Sequence, residues 1–224
     1  MAKRVLMLVT SHDKMDDAHP TGIWLSEFAE PYEEFQKAGY HITVTSPKGG
    51  AAPIDPRSLN EENERRWAAA IERLKDTVPV TAVNPDEYDA LFVPGGHGTM
   101  FDFPFDPNVQ QLVRRFAEAN KVIAAVCHGP AALVGVTLSN GQPLVAGKRV
   151  TAFTDEEERD VQLDKLVPFL LETRLRELGA NFIAGEKWAD HVEQDGLLIT
   201  GQNPQSGIST AKAVIRTLES TTGA

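Results

Sequence analysis

The sequence predicts an α/β domain whose mainly parallel central sheet is covered by helices on both faces. Three observations carry this reading. Short apolar runs alternate with longer amphipathic ones from one end of the chain to the other. The short runs are almost continuously apolar, as strands buried on both faces must be. Glycine and proline gather where these runs end, as in Pro47-Lys48-Gly49-Gly50 and Pro94-Gly95-Gly96-His97-Gly98.

The elements follow in order. Met1-Ala2-Lys3-Arg4 leads into Val5-Leu6-Met7-Leu8-Val9, which resembles the opening of a signal peptide. The apolar run stops after five residues at Thr10-Ser11-His12-Asp13, so residues 4–9 read as a first buried strand. Further strands are expected at 41–45, 90–93, 121–126 and 149–153, with a late pair near 181–184 and 197–200. The first helix is expected over 23–38, because Trp24, Phe28, Tyr32 and Phe35 recur at helical spacing. Others are expected over 62–75, 108–119, 167–178 and 206–218, with a helix start after Cys127. Residues 51–56 read as loop. No internal repeat, low-complexity tract or second domain is visible, and residues 1–224 read as one domain.

Composition narrows the function. The net charge of −10 argues against nucleic-acid or anionic-membrane partners. No apolar stretch approaches the span of a bilayer. The single cysteine among 224 residues cannot form an internal disulfide, which points to the cytoplasm.

That cysteine is the most informative residue. In Ala125-Val126-Cys127-His128-Gly129-Pro130-Ala131 it lies between an apolar strand and a proline-initiated helix. A thiol at a helix N-terminus faces unpaired amides and a positive dipole, so a lowered pKa and a nucleophilic role are expected of Cys127. The alternative is an inert core cysteine. His128 can share the pocket as a base, or can be a capping or exposed residue. Gly95 and Gly96 end a neighbouring strand, and their amides together with that of His128 could bind an oxyanion, although a plain glycine turn would look the same. Glu27, flanked by Trp24 and Phe28, is either a partly buried proton donor or a solvated glutamate. Pattern alone favours the latter.

Two other groupings are weaker. His12, Asp13, Asp16, Asp17 and His19 are dense but lack metal-ligand spacing, and read as an exposed loop. His191-Val192-Glu193 resembles the His-x-Glu pair of class I glutamine amidotransferases, but reads better as a polar edge before the turn Gln194-Asp195-Gly196. The run Asp155-Glu156-Glu157-Glu158 reads as a solvated helix start.

Five motifs taken together carry a family resemblance: Thr21-Gly22-Ile23-Trp24-Leu25-Ser26-Glu27, Val93-Pro94-Gly95-Gly96-His97-Gly98, the Cys127 heptapeptide, Phe153-Thr154-Asp155 through Glu158, and Leu198-Ile199-Thr200-Gly201-Gln202-Asn203-Pro204. In this order, over nearly the whole chain, they resemble the ThiJ/PfpI superfamily, a flavodoxin-like branch of the class I glutamine amidotransferase-like fold. The strongest likeness is to its heat-shock chaperone and glyoxalase III branch. The resemblance implies a three-layer sandwich and a homodimer. It implies Cys127 as nucleophile, His128 as its partner, and Glu27 as the glutamate bonded to the thiol, against the reading from pattern alone. It implies Glu158 as the acid that orients His128, with Glu157 as the fallback one residue earlier, and Gly96 with the His128 amide as the oxyanion pocket.

The implied reaction is conversion of a small aldehyde, methylglyoxal, to lactate by a glyoxalase III-type lyase (D-lactate dehydratase) without cofactor, metal or glutathione. The other roles known in the superfamily stay open: holding chaperone in the stress response, protein deglycase, oxidative-stress sensor, and cysteine hydrolase of peptidase or amidotransferase type.

Overall fold

A computed structural model describes residues 1–222. Its centre is a seven-stranded sheet in the spatial order Val192–Asp195, Leu198–Gly201, Val122–Val126, Ala90–Val93, Arg4–Leu8, His41–Ser46, Val78–Pro79. Every neighbouring pair is parallel except the first, which is an antiparallel hairpin. From Arg4–Leu8 the chain moves outward to one side and then returns to the other. The switch point therefore lies between that strand and Ala90–Val93, where open α/β sheets build their sites.

Strand alternation sends side chains to two cores. Val5, Met7, Phe92, Ala124 and Val126 face the helices Leu25–Lys37 and Gly207–Thr222. Leu6, Leu8, Leu91, Val93, Ile123 and Ala125 face the helix Pro107–Glu118 and the segments beyond it. Phe28 and Phe35 in the first helix are fully buried, each contributing about 1.5–3 kcal/mol by transfer from water. No helix of the described residues is long and apolar enough to cross a membrane.

The structure departs from the sequence reading in several places. The expected strand at 149–153 is reduced to Arg149–Val150, which pairs with Asn181–Phe182 in a separate two-stranded sheet. The Thr200 hydroxyl takes the Thr151 N–H at 2.9 Å, and Phe153 N–H bonds the Cys127 carbonyl at 2.9 Å, so this segment caps the sheet instead of joining it. The helix expected over 62–75 breaks at Trp67 into Glu61–Arg66 and Ala68–Leu74. Trp67 leaves helical geometry there and its indole bonds Glu33 at 2.8 Å. The helix expected from 167 begins at Leu171; Pro168 disfavours helical geometry at Val167. Val78–Pro79 adds a short, unforeseen edge strand, a position proline tolerates.

Candidate active site

Cys127 occupies the turn between Val122–Val126 and the one-turn helix Ala131–Val134, with φ of 64°. For a side-chain-bearing residue this left-handed geometry costs of the order of 1–3 kcal/mol. The surroundings impose it. Cys127 N–H bonds the Gly201 carbonyl at 2.9 Å, and its own carbonyl accepts from Phe153 N–H at 2.9 Å. Gly129 closes the turn where a Cβ would lie 2.2 Å from the Val93 carbonyl oxygen. Strand ends on both sides thus aim the thiol at the switch point.

His128 is 1% exposed, and its Nδ1 lies 3.6 Å from Cys127 Sγ. Its Nε2 is 2.6 Å from Oε2 of Glu158. The helix Asp155–Asp160 that carries Glu158 opens with a capping box. Glu157 N–H donates to the Thr154 hydroxyl at 3.1 Å, and the Glu157 carboxylate accepts the Thr154 N–H at 3.0 Å. The other Glu157 oxygen accepts from Trp188 N–H and the Asn203 amide, each at 2.9 Å. Glu157 is therefore structural, and Glu158, one residue on, faces His128. Both are buried, unlike the solvated run expected from composition.

A second imidazole shares Glu158. His97 Nε2 is 2.6 Å from Oε1, and the two imidazole centroids are 4.1 Å apart. Burial opposes ionisation of Glu158, but the two rings and their hydrogen bonds outweigh it and hold the carboxyl well below the usual range. Behind His97, Arg57 Nη2 lies 3.4 Å from Nδ1. Arg57 itself clasps the buried Asp55 through Nε at 3.1 Å and Nη2 at 2.6 Å.

The donor atoms of His97, His128 and Glu158 lie within 4.8 Å of one another, close enough to hold a metal ion. Ligand atoms on a tetrahedral zinc stand about 3.3 Å apart, as bond lengths of about 2.0–2.1 Å require. The 2.6 Å contacts here are the spacing of charge-assisted hydrogen bonds.

Glu27 lies in the first turn of Leu25–Lys37 and is fully buried. Its Oε1 accepts Gly95 N–H at 2.8 Å, and no N–H or O–H of the described residues donates to Oε2. Burial pushes the carboxyl up to about 8, with the Cys127 thiol the side chain that pulls it back. Burial likewise pushes the Cys127 thiol up, and a charged Glu27 adds to this. The lowered thiol pKa expected from the sequence is not what the surroundings produce. The following helix is a single turn with little dipole, and the thiol is 3% exposed.

The glycine motif divides its labour. Gly95 N–H is committed to Glu27 and so is not free for an oxyanion, as the sequence reading had it. The amides of Gly96 and His128 have no hydrogen-bond partner among the described residues. Gly96 has φ of 113°, and a Cβ there would lie 2.1 Å from the Gly22 carbonyl oxygen, so only glycine fits.

Cys127, His128, His97, Glu27 and Gly96 line a cavity of about 130 Å³ walled by Trp24, Phe153, Val161, Trp188 and Pro204, with Arg57 also at its wall. The sequence reading missed Trp188, Arg57 and His97. Trp188 comes from a turn and Arg57 from the short helix Pro56–Ser58, both remote in sequence. His97 stood inside the glycine motif, where it was read only for its backbone. His191 and Glu193 pair at 3.1 Å but line a different part of the molecule, and neither borders this cavity. His12 stacks on Phe101, and His19 pairs with Asp16 at 2.7 Å on an exposed hairpin.

Comparison with known proteins places the chain in a family. The chain is 34% identical over 241 residues to glutathione-independent glyoxalase hsp3101 of Schizosaccharomyces pombe, covering 97% of this chain and 96% of that protein. The crystal structure of glyoxalase III from Candida albicans superimposes with a TM-score of 0.87 at 31% identity, over 96% of this chain and 97% of that one. The Rapid Encystment Protein 24 KDa of Francisella tularensis superimposes with a TM-score of 0.92 at 41% identity, over 96% and 99%. With the DJ-1/PfpI family model matching residues 3–217, the chain belongs to the DJ-1/PfpI family.

Proposed function

We propose that this protein is a glutathione-independent glyoxalase that converts methylglyoxal to lactate through Cys127. The observation that carries the reading is the placement of one thiol between a basic nitrogen, His128 Nδ1, and a buried carboxyl, Glu27. Relatives named glyoxalases across almost the full chain support it.

The hydrogen bonds assign the protons. Ionised Glu158 only accepts, so His128 carries its proton on Nε2 and presents a lone pair on Nδ1 to the thiol. Glu27 keeps its proton at pH 7, and the carboxyl oxygen not bonded to Gly95 is Oε2. Sγ bonds to the aldehyde carbon as its proton passes to His128. The alkoxide faces the Gly96 and His128 amides and takes the Glu27 proton, giving a hemithioacetal. Glu27 then removes the hydrogen on that carbon while His128 protonates the ketone oxygen, giving an enediol. Glu27 returns its proton to the second carbon and His128 takes the proton of the first hydroxyl, leaving a lactoyl thioester. Water attacks the thioester, giving a proton to Glu27. Sγ leaves with the His128 proton, and the acid product loses its remaining carboxyl proton to solvent as lactate. One water is consumed and nothing is oxidised or reduced overall.

A narrow, largely apolar cavity suits a small dicarbonyl better than a protein chain. The amidotransferase alternative is disfavoured because His191 is outside the cavity. We place the enzyme in the cytoplasm as a homodimer with a stress-protective role. The lone cysteine and the family resemblance support this. The test is lactate formation from methylglyoxal without glutathione or added metal. Wild type should turn over and Cys127→Ala should lose at least about a thousand-fold, whereas an active Cys127→Ala protein would overturn the reading.

A further inference from the structure

We infer that His97 is a positioning residue of this site: braced by Arg57 and Asp55, it holds Glu158 in the orientation in which Glu158 sets His128. The turnover arm of this inference rests on the glyoxalase reading; the alkylation arm below does not.

The geometry forms one continuous chain of polar contacts from Asp55 through Arg57, His97, Glu158 and His128 to Cys127. Asp55 is anchored by the Thr21 hydroxyl at 2.9 Å as well as by Arg57, so the far end of the chain is fixed. Arg57 can only donate, and it lies against His97 Nδ1 at 3.4 Å. That nitrogen must therefore accept, which leaves the His97 proton on Nε2, facing Glu158 Oε1 at 2.6 Å. The two carboxylate oxygens thus receive two N–H donors of fixed direction, one from each ring. A carboxylate bonded through one oxygen alone can rotate about its terminal torsion, which is broad. Bonded through both, it cannot turn without breaking a charge-assisted hydrogen bond.

His97 also stays neutral. Burial and the neighbouring His128 push it down to about 4. Its 5% exposure leaves it little contact with solvent, and His128 is the ring nearer Cys127. The arrangement fits a ring that steers Glu158 without competing for the proton that moves.

The test uses two variants that differ in reach. The side-chain amide nitrogen of glutamine ends near the position of histidine Nε2, whereas that of asparagine ends near Nδ1, on the Arg57 side. His97→Gln should keep kcat for lactate formation within about three-fold of wild type. His97→Asn should lower kcat by about ten- to a hundred-fold with KM within about two-fold, because the lost interaction serves the reacting geometry and not substrate binding. Alkylation of Cys127 by iodoacetamide, followed by intact mass, should fall in parallel and reports on His128 even if methylglyoxal is not a substrate. Arg57→Met should slow alkylation in the wild-type background and have no further effect in His97→Asn, where the chain is already cut. Equal rates for His97→Asn and wild type, or equal losses in His97→Gln and His97→Asn, would reduce His97 to a packing residue and overturn the inference.

Discussion

Glu158 Oε2 sits 2.6 Å from His128 Nε2, and this contact decides which imidazole nitrogen faces the cysteine. A carboxylate accepts and does not donate, so the proton is on Nε2 and Nδ1 is the base, 3.6 Å from Sγ. In the proposed mechanism the nucleophile is therefore a thiol deprotonated as it attacks, in keeping with the burial that pushes Cys127 up.

Glu158→Gln should lower kcat by about ten- to a thousand-fold while leaving the fold intact. The amide can present its NH₂ to His128, which then turns or takes the other tautomer and loses its lone pair toward Sγ. Steady-state kinetics on methylglyoxal, with circular dichroism to check folding, measures this. His191→Ala should stay within about two-fold, because His191 lies outside the cavity. The reverse ranking would restore the amidotransferase reading.

The thiol should titrate late. Burial, reinforced by a charged Glu27, pushes Cys127 up. Thiolate absorbance near 240 nm should therefore develop with a midpoint above the ordinary value of about 8.5. Glu27→Gln removes the neighbouring charge and should bring the midpoint down. A wild-type midpoint below 8.5 would show instead that the thiolate is stabilised at rest.

Glu27 also ties stability to pH. Its folded value, about 8, lies above the ordinary carboxyl value of 4.5. The folded state holds this proton more tightly, so the associated stability is complete below about 4.5 and is lost as pH rises through about 8. Glu27→Gln lacks this loss. The melting temperature of the variant relative to wild type should therefore rise between pH 5 and pH 9. A flat difference across that range would mean that the carboxyl is not held protonated.

Gly129→Ala should destabilise the protein by about 2–4 kcal/mol in urea unfolding, a size reserved for changes that the surroundings cannot absorb. The added Cβ would meet the Val93 carbonyl oxygen at 2.2 Å and the Val126 carbonyl oxygen at 2.9 Å, both backbone atoms of the sheet. A loss below 1 kcal/mol would show that the turn carrying Cys127 is more pliant than the packing implies.

Much of this molecule was legible in the order of its residues. The strands at Arg4–Leu8, Ala90–Val93 and Val122–Val126 are buried on both faces, so their apolar runs announced them with small errors at the ends. Cys127 stood out because a lone thiol between an apolar strand and a Gly-Pro helix start is a local pattern. Glu27 was different. It is fully buried and bonded to Gly95, 68 positions away, whereas pattern alone favours a solvated glutamate and only the resemblance of its motif points to the buried role. Tertiary structure alone decided the rest. The acidity of a thiol or carboxyl depends on desolvation, which is a property of everything packed around it, and burial reversed the direction expected for Cys127. The sharing of Glu158 between His128 and His97, 30 and 61 positions away, and the bracing of His97 by Arg57 arise where four segments remote in sequence meet. No periodicity encodes such a meeting, because hydrogen bonds between separate segments depend on distance in space and leave no spacing along the chain.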